Sequence, residues 1–291
     1  MKLSEIYNNN EKPIFSFEVF PPKGENQEEI NTKIENLLNE LKELQFASPK
    51  LISITYGAGG SNRDNSFEIV KKIKNELNIT PLPHFTCICS NKEYIKNYIE
   101  TLENTGIQNV LTLRGDEPKD IDVCYRDFRF ATDLIEYIKT CSNLEFAVAS
   151  YPQKHPESEN LEKDIEILAK KQELGAKVAY TQLFFDNEYY FKYIEKCQNK
   201  NIKMPIIPGV LPVISFSQFE RMANLGGVII EKKTYEYFEK FKNSKEDTIK
   251  AGIDFATKQI EELLNFGAKG IHFYTLNKSA STKEILKNII S

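Results

Sequence analysis

The 291-residue sequence has no tryptophan, few cysteines and histidines, and no strong excess of charge of either sign. Its five cysteines are an odd number without a framework spacing, which excludes a disulfide-stapled secreted scaffold and favours a reducing compartment. Cys87 and Cys89 are expected to be small buried hydrophobic residues. The net charge of −4 leaves no basic surplus for nucleic acid or an anionic membrane.

Long hydrophobic runs are also missing. No apolar stretch approaches the roughly 20 residues that span a bilayer, and the polar, asparagine-rich residues 1–13 lack the apolar core of a secretory signal. Hydrophobic residues at 41% and charged residues at 27% are typical of an ordinary globular protein, which excludes a disordered tail or a fibre. We therefore expect a cytoplasmic protein without a nucleic-acid or membrane partner.

What the sequence does contain is one repeated pattern. Short runs rich in β-forming residues alternate with segments whose apolar residues recur every three or four positions, as in amphipathic helices. The β-rich runs are 14–20, 51–56, 82–88, 109–113, 145–151, 177–185, 205–211 and 270–276. Eight strands alternating with helices predict an α/β fold with a single (β/α)8 TIM barrel over residues 1–291. An open doubly wound sheet is the main alternative.

The interval between residues 211 and 270 is long enough for more than one helix, and we expect an extra helical insertion at about 226–247. Within it, the segment 231–245 combines tyrosines and phenylalanines with lysines. Such a mixture can bind RNA, but aromatic residues at helical spacing are more typical of a packing stripe.

Polar residues fall on one parity of several β-rich runs. Ser16 and Glu18 alternate with apolar residues in the first run, and Thr112, Arg114 and Asp116 share one parity in and after the fourth. In a parallel barrel the outer face packs against helices, so we expect the polar parity to point inward near the carboxyl-end mouth. A carboxylate such as Glu18 in that interior must be paired, protonated or functional, which indicates an active site.

Other chemistries fit the sequence less well. The glycine-rich stretch 57–61 follows a strand but lacks the full spacing of a dinucleotide fingerprint. No lysine lies late in a strand, which argues against a Schiff-base aldolase. His84, His155 and His272 all lie near strands, yet no metal-ligand spacing links them, so we expect no catalytic metal.

Eight segments resemble, in order, those of the methylenetetrahydrofolate reductase family, and together they extend over nearly the whole chain. They are FSFEVFPPK at 15–23, SITYGAGGS at 53–61, PHFTC at 83–87, LRGD at 113–116, YP at 151–152 with HPE at 155–157, TQLFFD at 181–186, IPGVLPV at 207–213 and HFYTLN at 272–277. Eight matches in one order are far more specific than any single motif. The segment 226–247 resembles the family least.

The resemblance implies a reaction as well as a fold. It implies that FAD is the cofactor, that NADH or NADPH is the electron donor, and that 5,10-methylenetetrahydrofolate is reduced to 5-methyltetrahydrofolate by ping-pong hydride transfer. Glu18 corresponds to the general acid that protonates the bridging nitrogen of the folate, and we expect burial to raise its pKa. Asp116 corresponds to a negative charge near both flavin and pterin. The family also implies a homo-oligomer.

The same resemblance implies two sets of binding residues. Those for FAD are Thr55, Tyr56, Ala58, His84, Arg114, Gly115, Asp116, Ala131, Tyr151, His155, Asp164, Lys170 and Lys171. Those for the folate are Gln182, Gln218, Tyr274 and Lys278, and Gln182 also corresponds to a nicotinamide contact. His272 is expected to be a structural histidine beneath the mouth and is left out of both sets.

Two positions depart from the family pattern. Lys278 stands where the family often has arginine, so a bidentate contact with the folate carboxylate is lost. Met222 occupies a position that can be aromatic. Each candidate also has a structural alternative: Asp116 could simply pair with Arg114, and Lys170 and Lys171 could form a solvated helix face.

Two other classes of function stay open on the sequence. One is a metal-dependent hydrolase that uses the histidines with Glu18 and Asp116. The other is a non-catalytic barrel that binds a folate or a nucleotide as a sensor.

Overall fold

The computed structural model describes residues 1–8, 12–55, 63–116 and 127–290. Within these ranges the strands occupy seven of the predicted β-rich runs once each and the run 205–211 twice. They are β1 Ile14–Val19, β2 Leu51–Ile54, β3 Thr80–Thr86, β4 Asn109–Leu113, β5 Glu145–Ser150, β6 Val178–Thr181, β7 Ile206–Ile207, β8 Gly209–Val210 and β9 Gly270–Tyr274.

Helices precede, separate and follow the strands. They are α1 Leu3–Asn8, α2 Gln27–Lys42, α3 Arg63–Glu76, α4 Lys92–Asn104, α5 Ala131–Cys141, α6 Leu161–Glu173, α7 Asn187–Asn199, α8 Phe216–Gly226, α9 Lys232–Glu239, α10 Lys245–Phe266 and α11 Ala280–Ile290, with a 3₁₀ turn at Gln45–Ala47. Several begin where a side chain caps the first turn: Asn26, Asn91, Asn160 and Ser215 each accept a hydrogen bond from a backbone N–H three residues later.

The strands form one parallel sheet that closes on itself. Its order is β7-β6-β5-β4-β3-β2-β1-β9-β8. β7 pairs with β6 and β8 pairs with β9, so the single run 205–211 joins the two edges of the sheet. Pro208 separates β7 from β8 because proline has no N–H for the ladder. The predicted TIM barrel is confirmed, and an open doubly wound sheet is wrong.

Two hydrophobic clusters hold the barrel together. One lies between the strands and the surrounding helices and contains the fully buried Phe17 and Phe273. The other joins residues from β1 to β7, among them Leu51 and Leu111, and therefore fills the interior of the barrel. The short helix α1 contributes three of its side chains to this interior cluster and closes the amino-terminal end of the barrel.

The polarity of β4 corrects one expectation. Leu111 belongs to the interior cluster, so this strand turns its leucines inward and not Thr112. The Thr112 hydroxyl is buried on the other side and donates to the carbonyl of Ala147 on β5. A threonine can be accommodated on the outer face because a neighbouring strand carbonyl satisfies its hydroxyl.

The interval between β8 and β9 holds three helices, α8, α9 and α10, as its length predicted. Their aromatic residues form a third cluster, in which the fully buried Phe238 packs against Phe219 and Phe255. The aromatic residues of α9 are thus a packing stripe. Gly252 of α10 permits a close approach, since a methyl group there would lie 1.9 Å from the carbonyl oxygen of Val213.

Two further findings concern sequence expectations. No described helix is both long enough and apolar enough to cross a bilayer. Cys87 is buried and free, as expected. The same expectation is wrong for Cys89, which is disulfide-bonded.

Candidate active site

The carboxyl ends of the strands surround an opening, called the mouth here, in which Glu18 of β1 meets two histidines. Nε2 of His84 on β3 lies 3.3 Å from Glu18 Oε2, and Nε2 of His272 on β9 lies 3.8 Å from the same oxygen. The Glu18 side chain is 21% exposed, against 9% for His84 and 2% for His272. A molecule that enters the mouth can therefore reach the carboxylate more readily than the imidazoles.

His272, which was left out of the predicted site, lies within this cluster. Its Nδ1 lies 2.8 Å from the Ser16 hydroxyl, and its Nε2 lies 3.4 Å from the Ser53 hydroxyl as well as near Glu18. The β1–β9 register places Ser16 beside His272, which brings the first and last strands together at this point. The signal in the sequence was the shared polar parity of Ser16 and Glu18. The strand pairing was needed to add His272 to them.

The two imidazoles change the expected protonation of Glu18. Burial raises the pKa of the carboxyl, but the contacts with His272 and His84 and the charges of these histidines outweigh burial and lower the pKa to about 2. The expectation of a raised pKa is therefore wrong for this arrangement. Glu18 is therefore ionised at neutral pH in this cluster of Glu18, His84 and His272.

His84 has an unused hydrogen-bonding atom. Its Nε2 is buried and makes no hydrogen bond within the described residues, so its 3.3 Å contact with Glu18 is electrostatic. An unpaired buried nitrogen is costly, and a bound molecule commonly supplies the missing partner. This orphaned atom fits the expectation that His84 contacts a ligand.

A second group of charged residues lies after β4 and β5. Arg114 forms a two-pronged ion pair with Glu157, with Nη2 2.7 Å from Oε1. The sequence allowed Arg114 to pair with Asp116, but its bidentate partner in the structure is Glu157. Asp116 is exposed, and its charge helps to raise the pKa of Tyr151 to about 12, after the larger effects of burial and of Asp164.

The loop after β5 brings several predicted FAD residues together. The rings of Tyr151 and His155 meet edge to face with centroids 4.7 Å apart. The backbone N–H of His155 donates to the Asp164 carboxylate at the start of α6. Burial lowers the pKa of His155, and the positive charges of Arg114 and Lys171 lower it further, against the opposing effects of Glu157 and Asp164.

The adjacent residues Lys170 and Lys171 have different environments. Lys170 lies on the exposed side of α6, with Nζ 3.7 Å from Glu136, so it matches the solvated face considered on the sequence. Lys171 turns its Nζ inward to donate to the carbonyl of Ala149, at 3.0 Å. Burial lowers the pKa of Lys171 to about 8, and the nearby Asp164 only partly offsets it. The structure brings Lys171, and not Lys170, to the group around His155.

The other described FAD candidates occupy strand ends and a helix start. Thr55 follows β2 and donates its backbone N–H to the Val19 carbonyl. Ala131 is the first residue of α5 and is buried. Gly115 has φ +85, and a methyl group there would lie 2.8 Å from Ile88 Cγ2, so glycine is required. Tyr56 and Ala58, with the glycine-rich stretch 57–61, lie outside the described residues.

The folate candidates divide into two groups. Tyr274 lies beside the end of β6, just before Gln182, because its hydroxyl donates to the carbonyl of Thr181 at 2.7 Å. Burial raises the pKa of Tyr274, and the charge of Glu18 adds to this effect. A methyl group at Gly209 would lie 2.6 Å from the Tyr274 ring, so the ring covers that glycine.

The other group lies at the edge. Gln218 is buried, and its amide bonds to the backbone of Pro212 and Ile214 in the loop after β8. Met222 packs against the third cluster on α8. Lys278 is 71% exposed and lies 3.8 Å from Glu40 of α2. The described residues contain no group of three or more His, Cys, Asp or Glu that could hold a metal ion.

Comparison with known proteins identifies the family of this chain. The sequence model of the methylenetetrahydrofolate reductase family matches residues 2–290. The 5,10-methylenetetrahydrofolate reductase of Buchnera aphidicola subsp. Schizaphis graminum is 35% identical over 94% of this chain and 91% of its own length. The enzyme of the same name from Escherichia coli K12 is 33% identical over 91% of this chain and 86% of its own length.

A plant relative and a solved structure extend these comparisons. Methylenetetrahydrofolate reductase (NADH) 1 of Arabidopsis thaliana is 35% identical over 94% of this chain and 48% of its own length. A solved structure from Clostridium thermocellum, described as binding two copies of 5-methyl-5,6,7,8-tetrahydrofolic acid, has the same fold. Its TM-score is 0.69 at 15% identity, over 98% of this chain and 97% of that one. On the family match and the close relatives, the chain belongs to the methylenetetrahydrofolate reductase family.

Proposed function

We propose that this reductase of 5,10-methylenetetrahydrofolate works through bound FAD, with NADH or NADPH as electron donor and with Glu18 as general acid. The observation that carries the proposal is the position of the Glu18 carboxylate. It projects from β1 into the mouth, between His84 and His272, where a substrate can reach it. Asp116, exposed after β4, provides a second negative charge for the cationic form of the folate.

The described residues fit FAD. Arg114 and Lys171 are cations near His155 that suit the pyrophosphate, and Asp164 is a carboxylate that suits ribose hydroxyls. Gly115 lets the backbone lie close to Thr86 and Ile88, where any side chain would collide. The remaining FAD candidates are Thr55, His84, Ala131, Tyr151 and Lys170, together with Tyr56 and Ala58 outside the described residues. When bound, FAD supplies a carrier that accepts hydride from a reduced nicotinamide and gives it to the folate.

Glu18 moves a proton to the bridging nitrogen of the folate. Protonation of this nitrogen opens the five-membered ring and leaves a cationic iminium carbon that can accept hydride. Because His84 and His272 hold the pKa of Glu18 at about 2, the carboxyl takes up its proton only when a bound substrate changes these surroundings. The Ser16 hydroxyl, 2.8 Å from Nδ1 of His272, fixes the position of this imidazole beside Glu18.

Tyr274 bonds to the carbonyl of Thr181, the residue before Gln182, and this proximity supports one subsite that the nicotinamide and the folate occupy in turn. Gln218 and Lys278 are the remaining folate candidates. Gln218 shapes the loop after β8, and the Lys278 ammonium is free to turn from Glu40 toward a carboxylate of the folate.

Initial-rate kinetics test this proposal. We expect NADH or NADPH to support formation of 5-methyltetrahydrofolate, and double-reciprocal plots against either substrate to give parallel lines, as a ping-pong reaction requires. Intersecting lines would show that both substrates bind together, contrary to the shared subsite. A protein that binds the folate without turnover would be a sensor, and a colourless protein with stoichiometric zinc would favour a hydrolase.

A further inference from the structure

The last residue of α8 and the five residues that lead to α9, together called the connection (residues 226–231), lie against the loops that follow β5 and β6. The Gln153 side chain makes two hydrogen bonds to it: Nε2 donates to the Ile229 carbonyl at 3.1 Å, and Oε1 accepts from the Ile229 N–H at 2.9 Å. The Tyr189 hydroxyl donates to the Glu231 carboxylate. The connection is thus attached to the loop after β5 and to the first turn of α7.

The two glycines of this connection permit very close packing at the mouth. A methyl group at Gly226 would lie 3.2 Å from Gln182 Cδ and 3.3 Å from its Nε2. A methyl group at Gly227, whose φ is +62, would lie 2.6 Å from Pro156 Cγ. The backbone of the connection therefore forms a wall directly behind the Gln182 amide.

Within the part of the chain that the structure describes, the Gln182 amide makes one hydrogen bond. Its Oε1 accepts from the N–H of Leu183, the next residue along the chain, at 2.9 Å. This bond leaves the orientation of the amide dependent on the wall at Gly226. The position of that wall depends in turn on the paired bonds between Gln153 and Ile229.

We propose that Gln153 is a positioning residue that holds the 226–231 connection against Gln182 and so sets the geometry of the subsite shared by folate and nicotinamide. The proposal rests on the proposed function, in which Gln182 contacts both molecules. Loss of the two hydrogen bonds of Gln153 lets the wall move away and leaves Gln182 free to adopt other orientations.

The test uses Gln153→Leu in the flavin-loaded full-length protein, with Gln172→Leu as a matched control. Gln172 makes the same kind of paired bonds at the other end of the barrel: its Nε2 donates to the Asn201 carbonyl, and its Oε1 accepts from the Met204 N–H. For Gln153→Leu we expect KM to rise about fivefold to tenfold for both the folate and NADH, with kcat falling less. For Gln172→Leu both KM values should stay within about twofold of those of the unaltered protein.

Gln153→Glu keeps the acceptor for the Ile229 N–H and loses the donor, so its KM values should lie between those of the unaltered protein and Gln153→Leu. Flavin content and melting temperature are measured on every variant. KM values for Gln153→Leu and Gln153→Glu that both match Gln172→Leu would overturn the proposal, as would a rise for one substrate alone. If the unaltered protein shows no turnover, the proposed function fails before the variants are compared.

Discussion

Glu18 lies in the mouth because side chains alternate along β1, and its neighbours on the strand, Phe17 and Val19, pack outward against the helices. Two histidines, from strands far away in the sequence, lie beside its carboxylate. This arrangement keeps the carboxylate ionised while water has access to it. The exclusion of water by a bound folate favours the protonated carboxyl, which is the form a general acid needs.

Replacing Glu18 by glutamine should separate the two halves of the reaction. A side-chain amide at this position cannot deliver a proton, so we expect reoxidation of the reduced flavin by methylenetetrahydrofolate to slow about 100-fold to 10,000-fold in Glu18→Gln. Reduction of the flavin by NADH needs no such proton and should stay within about threefold of normal. Stopped-flow absorbance of the flavin measures both rates.

The control is Glu145→Gln. Glu145 is also a strand carboxylate, but it lies at the closed end of the barrel, where it accepts hydrogen bonds from Ser4. In Glu145→Gln, both reduction of the flavin by NADH and its reoxidation by the folate should proceed at the normal rates. Normal reoxidation in Glu18→Gln would mean that another group is the acid.

Lys171 predicts a pH dependence of FAD binding. Its pKa is lowered to about 8, so it loses its proton, and with it the attraction for a phosphate, as the pH rises above 8. We expect the Kd of FAD for the flavin-free protein to rise above pH 8 by up to about tenfold per pH unit. Below pH 8 the ammonium is charged and this contribution to Kd is constant.

Fluorescence titration with FAD between pH 6.5 and 9.5 measures this effect. Lys171→Met should bind FAD more weakly at pH 7 and lose the rise in Kd above pH 8. Lys170→Met is the control and should keep the pH profile, because Lys170 is exposed and lies near Glu136. A profile that persists in Lys171→Met would assign the titration to a different group.

For single residues, the sequence predicted the inward direction of the Glu18 side chain but not the residues that surround it. The inward Glu18 followed from alternation within one strand. The contact with His272 depends on the register between the first and last strands, which no local pattern specifies. The direction of the Glu18 pKa shift was wrong for the same reason, since burial could be expected from the sequence and the two imidazoles could not. Thr112 faces outward, where its hydroxyl donates to the carbonyl of Ala147 on the neighbouring strand.

Among the elements, α1 was not foreseen. Residues 1–13 are polar and show no helical pattern in the sequence, yet Leu3, Ile6 and Tyr7 are buried in the closed end of the barrel. The Tyr7 hydroxyl lies 2.9 Å from that of Tyr180 on β6. A six-residue helix has too few residues for a recognisable period, and its stability comes from the barrel interior that it covers.

A cavity in this closed end should cost stability without affecting catalysis. Ile6 is fully buried, so Ile6→Ala should lower the free energy of unfolding by about 2 to 5 kcal/mol. Equilibrium urea denaturation measures the change, and the KM values should not move because the mouth is at the other end. Ile290→Ala, at a side chain 47% exposed on α11, should change stability by less than about 0.5 kcal/mol. Similar losses in the two variants would mean that α1 does not close the barrel.

The strand boundaries show where local pattern and tertiary contacts disagree. The run 177–185 is apolar over most of its length, but β6 ends at Thr181. Leu183 and Phe185 leave the ladder to join the third cluster under α8 and α9. Hydrophobic residues that serve this cluster and residues that serve the barrel cannot be told apart by periodicity alone.

For the whole molecule, repetition made the fold predictable. Eight β-rich runs with helices between them are compatible with few architectures, and the length suited one barrel. How the barrel closes was not predictable, because the run 205–211 pairs with β6 on one side of Pro208 and with β9 on the other. The interval after β8 carries the helices that wall the mouth beside Gln182. This interval includes residues 226–247, the segment predicted to resemble the family least.

The measurement that tests the central claim most directly is an anaerobic titration of the purified protein, followed by its visible absorption. We expect a yellow protein that releases FAD on denaturation. NADH should bleach the flavin absorption, and methylenetetrahydrofolate should then restore it with formation of one equivalent of 5-methyltetrahydrofolate. A protein whose bleached flavin is not restored by the folate, or one that contains no flavin, would contradict the proposal that this barrel reduces folate through FAD.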